Sequence, residues 1–294
     1  MKNFLAFFLV IISTYVSSET LNLNGLGSYY LTQNTKSDSI FLILHGTRGH
    51  QNLEIISSLR DSLYDNGIDS LSINLSYGIK NRGSDFLPCD IEHQHTMSNS
   101  LDEIDAWYKY ISKIGYKHIY LVGHSRGGLD IINFYNNLND NNQSSINSIF
   151  LIAPITENIS DYISRYKTEY NINIETIKND DNLKINFLGC ENARVKGKSF
   201  KSYYFNYNII SVPVALSNIS SKVFVITASE DSIVPLTHNR ISRVIMGNNN
   251  IELYKIDGAD HFFNDHNSEM VESVGNYLDS RLDKDGNFIN DISK

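Results

Sequence analysis

Apolar residues fall along this chain in two rhythms. Continuous runs of strand length recur: SIFLILHG from Ser39, SLSINL from Ser70, HIYLVGHS from His118, SIFLIAPI from Ser148, KVFVITAS from Lys222 and IELYKID from Ile251. Between most of them the spacing changes to that of a helix face. After the first run, Leu53, Ile56, Leu59 and Leu63 mark one helix, which Asn66-Gly67 stops. Further helices are predicted over 101–115, from Ser125 through Leu138, over 235–247, and as a closing helix from Ser268 to Leu282. Residues 76–99, with their glycines, Pro88 and Cys89, read as a loop.

Strands rich in Ile, Leu and Val on both faces, alternating with helices, predict an α/β fold: a doubly wound, mostly parallel sheet covered on both sides. Its crossovers should be right-handed. The early stretch LNLNGLGSYYLTQ is expected to add an antiparallel pair at one edge. The alternation lapses over residues 156–221, which contain the aromatic cluster YYFNY (Tyr203 to Tyr207). A structureless loop of that length is unusual in a compact domain, so the segment reads as a lid-like insertion folding over the sheet.

The first residues change the picture of where the chain works. Lys2, an apolar run from Phe4 to Ile12, and then Val16 and Ser18 at the −3 and −1 positions predict a signal peptide over 1–18, cleaved after Ser18. The run is too short for a membrane helix, which needs about 20 apolar residues. A domain over 19–294 is thus expected outside the cytoplasm, periplasmic or secreted, with no transmembrane segment. The formal net charge of −8, with charges scattered rather than blocked, argues against nucleic acid or an anionic membrane as partner. Cys89 and Cys190 are the two cysteines. In an exported chain they read as a disulfide, closing a loop of about 100 residues worth roughly 4–5 kcal/mol in the chain-entropy model; two free thiols are the alternative. Four Asn-x-Ser/Thr triplets, at Asn74, Asn142, Asn158 and Asn218, read as accidental in so asparagine-rich a chain.

The candidate chemistry sits where strands end. In a sheet of this kind ligands bind at the carboxyl edge, and Ser125 closes one strand inside Gly123-His124-Ser125-Arg126-Gly127. This G-x-S-x-G pattern holds a serine on a tight strand-to-helix turn, with glycines where a β-carbon would collide with the neighbouring strand or helix. Alone the pattern is weak; its setting of strand, turn and helix gives it force. The hydroxyl is un-ionised at neutral pH and needs a general base. His261, after the last strand in Asp257-Gly-Ala-Asp-His, lies at the same edge. His124 should point away from the serine, and His266 opens the closing helix. Asp231, after KVFVITAS, is placed to orient the imidazole and stabilise its cation; Glu230 is its competitor, and a helix-capping role its alternative. His45-Gly46-Thr47-Arg48-Gly49 follows the first central strand and can supply an oxyanion hole from the amides of Thr47 and Arg126. The Arg126 side chain is expected at the entrance or paired with an acid. His93 and His95 have the spacing of metal ligands on a strand, but as loop residues they read better as polar contacts to the insertion.

Taken in order after successive strands, HGTRG, GHSRGG, SEDSIVP and GADHF resemble the α/β-hydrolase superfamily. The similarity covers the chain except the leader and the insertion. It implies Ser125 as nucleophile, Asp231 as acid, His261 as base, and Thr47 with Arg126 as oxyanion donors, with no cofactor and no metal. SINLSYGIKNRG, CDIEHQH and EIDAWYKYI also resemble an exported bacterial branch of the superfamily. The longer HGGG loop of many lipases and esterases is missing, which argues against bulky tertiary esters. The expected function is a serine hydrolase of small-molecule carboxylic esters. Amide or peptide hydrolysis on the same triad is one alternative, and a non-catalytic envelope binding module that keeps the fold is another.

Overall fold

Alternation along each strand decides which side chains meet. In a computed structural model, which describes residues 17–33 and 37–281, Ile40, Leu42 and Leu44 pack on one face of the central sheet while Phe41 and Ile43 pack on the other. Ile119 and Leu121 oppose Tyr120 and Val122 in the same way. The period of two therefore builds two cores, one on each side of a sheet buried on both faces.

The chain runs β1 (Ser17–Leu23), β2 (Leu26–Thr32), β3 (Ser39–Leu44), α1 (Glu54–Asp65), β4 (Asp69–Asn74), β5 (Glu92–His93), α2 (Met97–Lys113), β6 (His118–His124), α3 (Arg126–Asn137), α4 (Asp140–Gln143), β7 (Ile146–Ile152) and α5 (Ile159–Tyr170). It continues with β8 (Asn182–Phe187), β9 (Cys190–Lys196), α6 (Gly197–Tyr204), α7 (Val212–Leu216), β10 (Lys222–Ala228), α8 (Thr237–Val244), β11 (Ile251–Ile256) and α9 (Asn267–Asp279). The leader expected over 1–18 lies outside the described residues except for Ser17 and Ser18, which open β1; Leu282 lies outside them too.

Eight strands form the central sheet in the order β1-β2-β4-β3-β6-β7-β10-β11. From β4 to β11 every pair is parallel, and β1 with β2 adds the antiparallel edge. The sequence of connections reverses direction at β3, whose neighbours are β4 on one side and β6 on the other. The loops leaving β3 and β6 thus diverge around a crevice, the switch point at which such sheets bind ligands. Ser125 and the 45–49 loop leave from these two strands.

The stretch between β7 and β10 holds α5, β8, β9, α6 and α7. A capping box starts α5: Asn158 accepts from the Asp161 amide and Asp161 returns the bond to the Asn158 amide. β8 and β9 form a hairpin, and β9 pairs in parallel with β5, a short strand within the stretch read as loop. The predicted α2 starts four residues early, at Met97, because Thr96 caps it with Asn99. Asn74 is buried with its amide bonded to the carbonyls of Arg82 and Gly83, leaving no room for a glycan.

Cys89 and Cys190 are joined by a disulfide with Cα atoms 5.4 Å apart, tying the loop before β5 to the start of β9. Among the described residues no helix is long and apolar enough to cross a membrane. Replacing both cysteines by alanine should lower the unfolding free energy by about 2–5 kcal/mol in urea denaturation. An unchanged midpoint and slope would show that the crosslink constrains nothing in the unfolded chain.

Candidate active site

The turn after β6 is held in a strained form. Ser125 has φ 55° and ψ −120°, a left-handed backbone that costs a residue with a β-carbon about 1–3 kcal/mol. Neighbouring backbone fixes it there: the Ser125 amide donates to the Ile152 carbonyl at 2.9 Å, and the Ser125 carbonyl accepts from Gly128 and Ile155. The flanking glycines are demanded by space. A β-carbon on Gly123 would lie 2.3 Å from the Gly127 carbonyl oxygen, and one on Gly127 would lie 2.5 Å from that of His45. Strand, turn and helix can approach this closely only without those side chains.

Three of the residues singled out from sequence come together at this turn. His261 Nε2 lies 2.9 Å from Ser125 Oγ, and His261 Nδ1 lies 2.8 Å from Asp231 Oδ2. All three side chains are buried. The carboxylate fixes the tautomer: Nδ1 carries the proton it donates to Asp231, leaving Nε2 to accept from the serine hydroxyl. Burial alone would raise the Asp231 carboxyl, but the bond from His261 and the amides of Val234 and Ile233 outweigh it and hold the group below the usual carboxylate range. Glu230 is exposed, and its amide donates to the Ala259 carbonyl, joining the acid's loop to the histidine's loop. Asp231 does not cap α8, which begins at Thr237.

Two further histidines brace the site, and sequence reasoning gave neither a part. His124 Nε2 donates to the carbonyl of His261 at 3.0 Å, and the two rings lie 5.1 Å apart. Burial lowers its pKa to about 3, so it serves as a neutral strut. His45 is lowered to about 3 for the same reason; its Nδ1 donates to the Gly46 carbonyl and its Nε2 accepts the Leu75 amide. Their signal lay in the motifs themselves, since each is the residue before a required glycine or serine.

The 45–49 loop abuts the serine. A β-carbon on Gly46 would stand 3.0 Å from Ser125 Cβ. The loop turns back through Gly49, whose amide donates to the Gly46 carbonyl, and through Arg48, whose amide donates to the Tyr77 hydroxyl and whose Nε donates to the Leu87 carbonyl. Among the described residues the amides of Thr47 and Arg126 are bonded to no protein acceptor.

The Arg126 side chain takes neither expected place. It is buried, with its guanidinium carbon 5.4 Å from the Tyr203 ring and 5.6 Å from the Tyr204 ring. Asp130, one turn along α3, is the nearby acid, but no hydrogen bond joins them, and burial pushes the Asp130 carboxyl up to about 7 against the pull of Arg126. His93 and His95 touch each other at 3.2 Å, and His95 meets the Tyr203 hydroxyl at 3.0 Å, contacts to the segment between β7 and β10. Among the described residues no group of three or more His, Cys, Asp or Glu side chains could hold a metal ion.

No protein-family model and no curated protein matches this chain. Solved structures do. Est1E from Butyrivibrio proteoclasticus aligns over 90% of this chain and 98% of its own, with a TM-score of 0.64 at 17% identity. The same protein with ferulic acid bound gives 0.66 at 18% identity, over 89% of this chain and 98% of its own. The Pyrococcus furiosus esterase Pf2001 gives 0.58 at 16% identity, covering 91% of each chain. The chain has the α/β-hydrolase fold. On that fold, the meeting of Ser125, His261 and Asp231 at the carboxyl edge is the feature from which chemistry can be argued.

The lowered Asp231 carboxyl links the site to stability. A carboxyl depressed in the folded state contributes stability above its unfolded value, near pH 4, and that contribution is lost as pH falls through the folded value. Asp231→Asn should therefore be less stable than the native protein at about pH 6, with the gap closing as pH falls below the unfolded value in urea unfolding. A gap independent of pH would show that the carboxylate is not held by these bonds.

Proposed function

We propose that this protein is a serine hydrolase of carboxylic esters that works through an acyl-enzyme on Ser125. The observation that carries the reading is the continuous path from Ser125 Oγ to His261 Nε2 and from His261 Nδ1 to Asp231 Oδ2, at 2.9 and 2.8 Å. Those distances match what a nucleophile, its base and the base's orienting acid require.

In this reading Ser125 Oγ attacks the ester carbonyl carbon as His261 Nε2 takes its proton. Asp231 stabilises the imidazolium that results. The carbonyl oxygen gains charge and is met by the amides of Thr47 and Arg126, which are free of other acceptors and sit on the loop and helix start that flank Ser125. Loss of one such donor typically costs about 2.7–4 kcal/mol of transition-state stabilisation. His261 then gives its proton to the departing alkoxide. A water, deprotonated by the same nitrogen, attacks the acyl carbon and releases the acid and Ser125.

Ester rather than amide chemistry is favoured by the neighbours, among them an esterase and a protein solved with an aromatic acid. Residues 156–221 are read as the cap of the site, since α6 brings Tyr203 and Tyr204 against Arg126, the residue next to the nucleophile. The disulfide supports an oxidising location reached by export, periplasmic or secreted.

A fluorophosphonate probe tests this directly. The folded protein should be labelled on one serine, Ser125→Ala should lose the label, and hydrolysis of p-nitrophenyl esters should fall by at least about 10³-fold in that variant. Labelling that survives Ser125→Ala, or a native protein that is never labelled, would contradict the proposal.

A further inference from the structure

Two tight turns meet beside the nucleophile, and each carries a bulky residue where a small one is the usual choice. The first closes through the Gly49 amide, which donates to the Gly46 carbonyl at 3.1 Å. Of its central residues, Thr47 and Arg48, only Arg48 has a positive φ, 57°. That marks a type II turn, whose second central position suits glycine or asparagine. The second turn closes through the Ile79 amide on the Ser76 carbonyl at 2.9 Å, with Tyr77 at φ 50° and Gly78 at φ 81°. Positive φ at both central positions makes it type I′, again a place for glycine, asparagine or aspartate. A tyrosine at positive φ is an outlier that only its surroundings can hold.

The two strained residues share one hydrogen bond. The Arg48 amide donates to the Tyr77 hydroxyl at 3.2 Å, and among the described residues it has no backbone acceptor. Tyr77 is held as a fixed acceptor. It is buried, its ring lies edge-on to that of His95 at 4.9 Å, and the Arg82 guanidinium carbon stands 5.3 Å from its centre. Arg82 also donates to the carbonyls of Leu75 and Gly49, bracing one turn against the other. A type II turn relaxes to type I by rotating its central peptide, here the unit joining Thr47 to Arg48. Rotation would relieve the left-handed φ of Arg48. It would also take the Arg48 N–H away from Tyr77 and leave it without an acceptor, which opposes the change. The nucleophile is within reach of any such shift, since a β-carbon on Gly46, at the head of the turn, would stand 3.0 Å from Ser125 Cβ.

We propose that Tyr77 is a positioning residue for ester hydrolysis: its hydroxyl holds the Arg48 amide and so keeps the Thr47 amide aimed at the oxyanion. The inference rests on the hydrolase reading for the part played by Thr47, but the hold of Tyr77 on the turn stands without it. Tyr77 acts through the turn and not on the substrate.

Tyr77→Phe removes the acceptor and keeps the ring. With p-nitrophenyl acetate, kcat and kcat/KM should fall together by about 10-fold or more, with KM within about 3-fold of native. Adding Arg48→Gly to that variant should recover at least about 3-fold of the lost kcat, because glycine takes the positive φ without strain and needs no hold. Hydrogen exchange over residues 45–49, followed by peptide mass spectrometry with no substrate present, should quicken about 5-fold or more in Tyr77→Phe. The proposal is overturned if Tyr77→Phe keeps the native kcat, if it changes KM alone, if Arg48→Gly brings no recovery, or if the exchange is unaltered. A native protein that neither hydrolyses the ester nor takes the fluorophosphonate would count against the hydrolase reading, and the exchange would still decide whether Tyr77 holds the turn.

Discussion

The close approach of β6 and α3 around Ser125 is the constraint on which the site depends. Helix and strand meet so tightly that a β-carbon at Gly123 or Gly127 would strike backbone, and the serine between them is forced to a left-handed φ. The bond from the Ser125 amide to the Ile152 carbonyl holds the turn against relaxing. Packing of the two cores on either face of the sheet over-determines this local geometry, which is how a strained backbone persists.

Topology does the rest of the positioning. Because the sheet order reverses at β3, the 45–49 loop and the serine turn come off adjacent strands and face the same crevice. The two loops that follow β10 and β11 carry Asp231 and His261 to the same edge, joined by the bond from the Glu230 amide to Ala259. Electrostatics then sets the protonation pattern. The imidazole is gripped by a carboxylate held ionised by three donors, while the buried His45 and His124 stay neutral and brace the loops without competing for the proton.

Much of this was written in the sequence because its physics is local. Short β-branched runs such as SIFLILHG and KVFVITAS, bounded by glycine or polar residues, suit buried strands, and G-x-S-x-G between such a strand and a helix suits a tight turn. The edge pair β1–β2 and the disulfide between Cys89 and Cys190 follow the sequence expectations, and the ends of β6, β10 and β11 set Ser125, Asp231 and His261 at 2.8–2.9 Å from one to the next. What the sequence hid depends on distant partners. β8 and β9 (NLKINF and CENARVK) mix charges into half-buried strands, so neither run carries a strong pattern, and β5 exists only because β9 pairs with it. The burial of Arg126 between tyrosines far along the chain, and the bond from His124 to the carbonyl of His261, are likewise tertiary facts without a periodic signature.

The central claim is that this turn carries an activated nucleophile and not merely a buried hydroxyl. Its most direct test is to mix the protein with an excess of p-nitrophenyl acetate, quench in acid within milliseconds and map the adduct by peptide mass spectrometry. The account predicts one acetyl group per chain on the peptide bearing Ser125, formed in a burst that precedes steady turnover. Acetylation spread over lysines and tyrosines, or a single adduct on any residue other than Ser125, would contradict it.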